Sequence, residues 1–154
     1  MKIYVLNYCY YEDSYTKGVY TEFAMNQKLS EFASIQREKN DTIIEAGNKI
    51  IAEKQLERKK LIAQADGDLL VNQRLAKERG NKELYKTYKK NRKTFIKQAE
   101  RIGSEIYWLE HKREQMNRLT EKQLADNYMH ANHLGFKEFY VIENAQEGDH
   151  LHKW

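Results

Sequence analysis

The sequence predicts an α+β fold that is mostly α: a long antiparallel helical hairpin of coiled-coil character, inserted in a small antiparallel sheet built from both termini. Three observations point to it. Aromatic and β-branched residues crowd the two ends of the chain. Helix formers run from residue 21 to 134 almost without interruption, in a sequence with no proline and only seven glycines. The second half of that stretch carries apolar residues at heptad spacing. A compact helical bundle with a small sheet is the alternative arrangement of the same elements.

The opening segment, Lys2 to Tyr11, is rich in aromatic and β-branched residues, four of them tyrosines, and reads as a strand. A polar turn over Glu12 to Lys17 and a short hairpin partner at Gly18 to Tyr20 follow. At the other end Gly135 is expected to stop the last helix, and Phe136 to Ile142 forms a third strand ahead of a polar tail. The expected organisation is therefore a terminal sheet from residues 1–20 and 135–143, a helical hairpin over 21–134 and a tail over 144–154.

Weak breaks stand at Asn40-Asp41, at Asp66-Gly67-Asp68 and at Gly80-Asn81. Geometry selects the reversal. If both termini share one sheet, the outward and return arms must be similar in length. Turning at Gly80 gives arms of about 58 and 54 residues, each roughly 80 to 90 Å at the helical rise per residue. Turning only at Gly67 leaves a mismatch of about 33 Å. Glycine after the first arm and asparagine as the next N-cap also suit Gly80-Asn81.

On the return arm Tyr88, Phe95, Ile102, Leu109 and Met116 recur every seventh residue, and Ala99 and Ile106 fill the companion position until Arg113 breaks it. The outward arm is less regular. Ile43/Ile44, Ile50/Ile51, Ile62 and Leu69 fit a seam, but residues 53–60 are almost all charged.

Charge is the main functional clue. Residues 74–101 hold Arg74, Lys77, Arg79, Lys82, Lys86, Lys89, Lys90, Arg92, Lys93, Lys97 and Arg101 against Glu78, Glu83 and Glu100, 11 − 3 = +8, while the whole chain is only +4. The rest therefore sums to −4, so the positive charge is a local zone where something negative can dock. At about 100° per residue, Lys82, Lys86, Lys89, Lys90, Lys93, Lys97 and Arg101 share one helix face. Leu84, Tyr85, Tyr88, Phe95, Ile96, Ala99 and Ile102 lie opposite.

Such a face attracts phosphate backbones without reading sequence. Arg79 and Arg92 have the fork for bidentate phosphate contacts, and Tyr85 and Tyr88 can stack on unpaired bases if the seam leaves them free. Trp108 falls in line with the lysines rather than with the seam and is expected to extend the partner surface with Tyr107 and Arg101. Lysine-rich faces also serve only as solvated exteriors of coiled coils, and an acidic protein surface would suit the same charge.

Other chemistries find little support. Cys9 is the single cysteine, which excludes an internal disulfide and fits a reducing cytoplasm. A thiol nucleophile needs a histidine that nothing in the sequence places beside it. His130 and His133 with Asp126, and His150 and His152 with Asp149, have spacings seen in metal sites, but no Cys pair or His-Glu-x-x-His accompanies them. No glycine-rich phosphate loop or Gly-x-Ser-x-Gly elbow is present. Neither a leader nor a membrane span is expected, since the longest apolar-rich stretch, Ile3 to Tyr11, is too short. The expectation is a cytoplasmic, non-enzymatic binder with no metal or cofactor.

The general look, a short proline-free chain with a small terminal sheet and no active-site residues, is similar to the accessory proteins that bacteriophages encode to bind host machinery. That resemblance implies a stoichiometric inhibitor of a bacterial nucleic-acid-handling or defence effector, anti-CRISPR-like, whose partner is nucleic acid or a nucleoprotein. The competing expectation is a coiled-coil scaffold that acts by homo-oligomerisation.

Overall fold

The structure is a computed structural model and describes residues 1–141 together with the backbone of His152–Lys153. The elements in chain order are β1 (Lys2–Tyr10), β2 (Asp13–Tyr20), α1 (Glu22–Asp66), α2 (Asp68–Glu78), α3 (Lys82–Asn117), α4 (Glu121–Ala131), β3 (Leu134–Tyr140) and the two-residue β4 (His152–Lys153). The chain is mostly α, and both termini contribute to one antiparallel sheet of order β2-β1-β3-β4. The predicted polar tail, 144–154, otherwise lies outside the described residues.

Two compact units are formed. The first comprises Met1–Asp41 and Leu119–Trp154. In it the sheet lays Leu6 of β1 against Phe32 and Ala33 of α1 and Leu124 and Ala125 of α4, with Tyr20, Tyr128 and Phe136 packed around them. Phe32 and Tyr128 stack at 4.7 Å between ring centroids. Leu6 faces Phe136 across the β1–β3 ladder, as the two-residue period of a sheet with one buried face requires.

The hairpin end of this unit differs from expectation. The stretch Asp13 to Lys17, expected as a turn, belongs to an eight-residue β2, and the reversal is confined to Tyr11-Glu12, with Tyr11 at φ 50. β2 is an edge strand, so its charged residues stay in water while its backbone pairs with β1. A bulge between Leu6 and Asn7 shifts the register. Gly135 does not stop the last helix either: it lies inside β3, and α4 ends at Asn132 and His133, the latter at φ 57.

The second unit is Thr42–Arg118, in which α1 from Thr42, followed by α2, runs antiparallel to α3. Its core is Ile51 with Ile102 and Ile106, flanked by Leu61 and Leu109. Side-chain pairs across the two arms lie at nearly equal sequence distances from Gly80: Asp66 and Arg92 by 14 and 12 residues, Lys54 and Glu105 by 26 and 25, Asn48 and Arg113 by 32 and 33. The turn is therefore at Gly80, which takes φ +70, and Asn81 caps α3 by accepting from the Leu84 amide at 3.1 Å.

The other two expected breaks do not reverse the chain. α1 continues through Asn40-Asp41, where the buried Asn40 keeps its Oδ1 within the helix, accepting from Gln36 Nε2 at 3.0 Å. At Gly67 the helical hydrogen bonds continue, Gly67 donating to the Ala63 carbonyl at 2.9 Å and Val71 donating to Gly67 at 3.1 Å. The two helices meet there with a local distortion, and a Cβ on Gly67 would sit 2.6 Å from the Ala63 oxygen. One unexpected break divides the return arm at Arg118 to Thr120. Thr120 and Gln123 form a capping box that starts α4.

Candidate functional site

The lysine face is built on α3, which runs for 36 residues without a break. Ala99, Ile102 and Ile106 are buried on one side, and Tyr85, Tyr88, Phe95 and Ile96 are half-buried beside them. The seam therefore holds the two tyrosines that were candidates for base stacking. Leu84 stays 46% exposed. On the other side Lys82, Lys86, Lys89, Lys90, Lys93, Lys97 and Arg101 are all exposed, within an arc of about 120° at the helical repeat. Burying the apolar stripe thus fixes the lysines outward.

Their electrostatic settings differ. Among the described residues, Lys82, Lys86, Lys90, Lys93 and Lys97 make no ion pair, and neither do the exposed Arg74, Lys77 and Arg79 just before them. Lys89 lies 6.0 Å from the centre of the Tyr85 ring. Arg101 Nε is 3.5 Å from Glu105, a carboxylate that also holds Lys54. Those two cations, the Lys54 hydrogen bond foremost, keep the Glu105 carboxyl below the usual carboxylate range.

Arg92 is the exception in the set. Its Nη2 donates to Asp66 Oδ1 at 2.9 Å and its Nε to the Ala65 carbonyl at 3.1 Å. The Nε–Nη2 edge of its fork is thus committed to the last turn of α1. The expectation that Arg92 offers a bidentate phosphate contact is corrected accordingly. Trp108 stands out from α3 with 65% of its surface exposed, and Tyr107 beside it with 60%.

The charge follows the two units. Thr42–Arg118 holds 19 basic and 11 acidic residues, +8, and the remaining segments hold 8 and 12, −4. The positive zone therefore coincides with one folded body, whose acids elsewhere do not neutralise it.

A second feature of the same unit is an apolar cavity of about 280 Å³ between α1 and α3, lined by Ile43, Gly47, Ile50, Leu109, Arg113 and Met116 among others. Arg113, which breaks the heptad, donates from Nη1 to Asn48 Oδ1 at 2.9 Å. No sequence signal marks this gap beyond the glycine at the seam.

In the first unit the fold brings together residues that the sequence keeps far apart. Cys9, His130 and His133 line one depression of about 370 Å³. The Cys9 amide donates to the His133 carbonyl at 2.9 Å, while its thiol lies 3.5 Å from Ser14 Oγ. The contact between thiol and imidazole that would activate a nucleophile is not formed among the described residues. No group of three His, Cys, Asp or Glu residues among them gathers to hold a metal. Asp149, His150, the His152 side chain and Trp154 lie outside the described residues. Among those described, no helix is long and apolar enough to cross a membrane. The chain matches no protein-family model, no curated protein and no solved structure.

Proposed function

We propose that this chain is a non-enzymatic binding protein that engages nucleic acid or a nucleoprotein through the lysine face of α3. The carrying observation is that five lysines, Lys82, Lys86, Lys90, Lys93 and Lys97, point into solvent on one side of a helix whose opposite side is committed to packing. Unpaired ammonium groups in a row exchange their counterions for phosphates, giving affinity that falls steeply with salt and discriminates little between sequences. In its narrowest form the protein is a cytoplasmic, phage-encoded, stoichiometric inhibitor that occupies a bacterial effector's nucleic-acid surface. The anti-CRISPR-like look of the sequence supports that narrower form.

The test is a quadruple reversal, Lys86→Glu, Lys89→Glu, Lys93→Glu and Lys97→Glu, titrated with nucleic acid over a salt range. Loss of binding with unchanged helix content supports the proposal. Retained binding refutes it.

The apolar cavity beside Ile43 and Ile50, which are 53% and 44% exposed, favours a second reading, a scaffold that self-associates through its seam. Sedimentation of the intact chain separates the two. A scaffold forms oligomers that Ile50→Asp dissolves and the lysine reversals leave intact.

A further inference from the structure

The lysine face does not end at Arg101. Along the same side of α3, Tyr107, Trp108 and His111 form a ring cluster, with Tyr107 and Trp108 centroids 5.6 Å apart at 75° and Tyr107 and His111 6.2 Å apart and nearly parallel at 10°. Trp108 lies one heptad after Arg101 and one turn before the exposed Lys112, so cations bracket it along the helix. Large rings standing free of the core are not explained by the fold: neither belongs to the buried cluster of this unit, and 65% and 60% of their surfaces remain in water.

We infer that the nucleic acid taken by this face is single-stranded, with an unpaired base stacking on the Trp108 indole while Arg101, Lys112 and the lysines before them hold the flanking phosphates. This rests on the function proposed above and narrows it. The physical reason is the shape of the two partners. A duplex buries its base faces in its own stack and presents phosphates and groove edges, which lysines satisfy but an indole does not. A single strand exposes π-faces of every base at intervals along a charged backbone, and a row of cations ending in exposed rings complements both. Stacking tolerates any base, because every base has a π-face.

The experiment uses the full chain carrying Trp154→Phe, which leaves Trp108 as the single tryptophan of the two. Its fluorescence is titrated with a short oligothymidylate and, separately, with a duplex of the same length. The inference expects quenching by the single strand and weaker, unquenched binding of the duplex. Trp108→Ala then weakens the single-strand complex about tenfold, with the salt slope unchanged, and Trp108→Phe recovers most of the loss. Equal affinity for duplex, or single-strand binding indifferent to Trp108→Ala, overturns the stacking role and leaves the phosphate-binding role of the lysines standing. Binding of neither probe overturns both.

Discussion

Arg92 reaches across the hairpin to Asp66, its Nη2 donating to the carboxylate Oδ1 at 2.9 Å, while its Nε closes the Ala65 carbonyl. A cation in the densest positive stretch of the chain is thereby a clasp between α1 and α3, and its neighbours Lys90 and Lys93, free of ion pairs among the described residues, are not. The consequences for stability and for binding separate cleanly.

Arg92→Ala is expected to cost about 1 kcal/mol of stability, since the pair is partly exposed and solvent screens it. Urea unfolding shows the loss as a lower midpoint at unchanged slope. Arg92→Lys recovers little, because an ammonium lacks the fork that serves Asp66 and Ala65 together. An unchanged midpoint in Arg92→Ala would show the clasp to be idle.

The salt dependence of nucleic-acid binding sorts the same residues. Under the proposed function, Lys90→Ala or Lys93→Ala lowers the slope of log affinity against log salt by about 0.7 to 0.9 each. Arg92→Ala leaves the slope as it was. A slope that responds to Arg92 and ignores the lysines would contradict the division drawn from the ion pairs.

Three glycines are expected to respond differently to alanine. Gly80→Ala costs about 1 to 2 kcal/mol, because φ +70 disfavours a Cβ. Gly67→Ala also destabilises, since the new Cβ meets a backbone oxygen at 2.6 Å that cannot swing aside. Gly47→Ala stabilises by about 0.5 to 1 kcal/mol, as its Cβ enters open space inside a helix. Thermal unfolding of the three variants should rank them in that order of sign.

Acid should loosen the hairpin through Glu105. Its carboxyl is lowered in the folded chain by Lys54 and then Arg101, so the folded state binds fewer protons than the unfolded one near the ordinary value of 4.5. The stabilisation is complete above that value and is lost as pH falls through the lower folded-state value. Urea midpoints measured from neutral pH downward should decline less steeply in Glu105→Gln than in the parent chain. Parallel declines would mean that the Lys54–Glu105 pair does not couple to folding.

Capping offers a check on the unexpected break. Thr120→Ala removes the hydroxyl that accepts from the Gln123 amide at 3.2 Å and is expected to cost about 1 kcal/mol. Hydrogen exchange should quicken first in the opening turn of α4. Unaltered protection there would argue that tertiary packing alone starts the helix.

The sequence by itself determined what depends on near neighbours. Glycine followed by asparagine marked a break at Gly80, because a positive φ and an N-cap are properties of two or three adjacent residues, and the matched lengths of the two arms selected it as the reversal. Heptad spacing oriented α3, and with it the lysine face and the outward Trp108, because 3.6 residues per turn carries each side chain to a known side. The Thr120–Gln123 box was equally local and readable, yet the helix formers on both sides masked it. Tertiary structure decided whatever depends on partners distant in sequence. Only the register of the hairpin gave Arg92 to Asp66 and Arg113 to Asn48, and only the closing of the terminal sheet set Cys9 beside His133. Only pairing with β1 turned the polar stretch Asp13 to Lys17 into an edge strand. Those outcomes depend on which elements meet across many residues of intervening chain, and no local pattern encodes that.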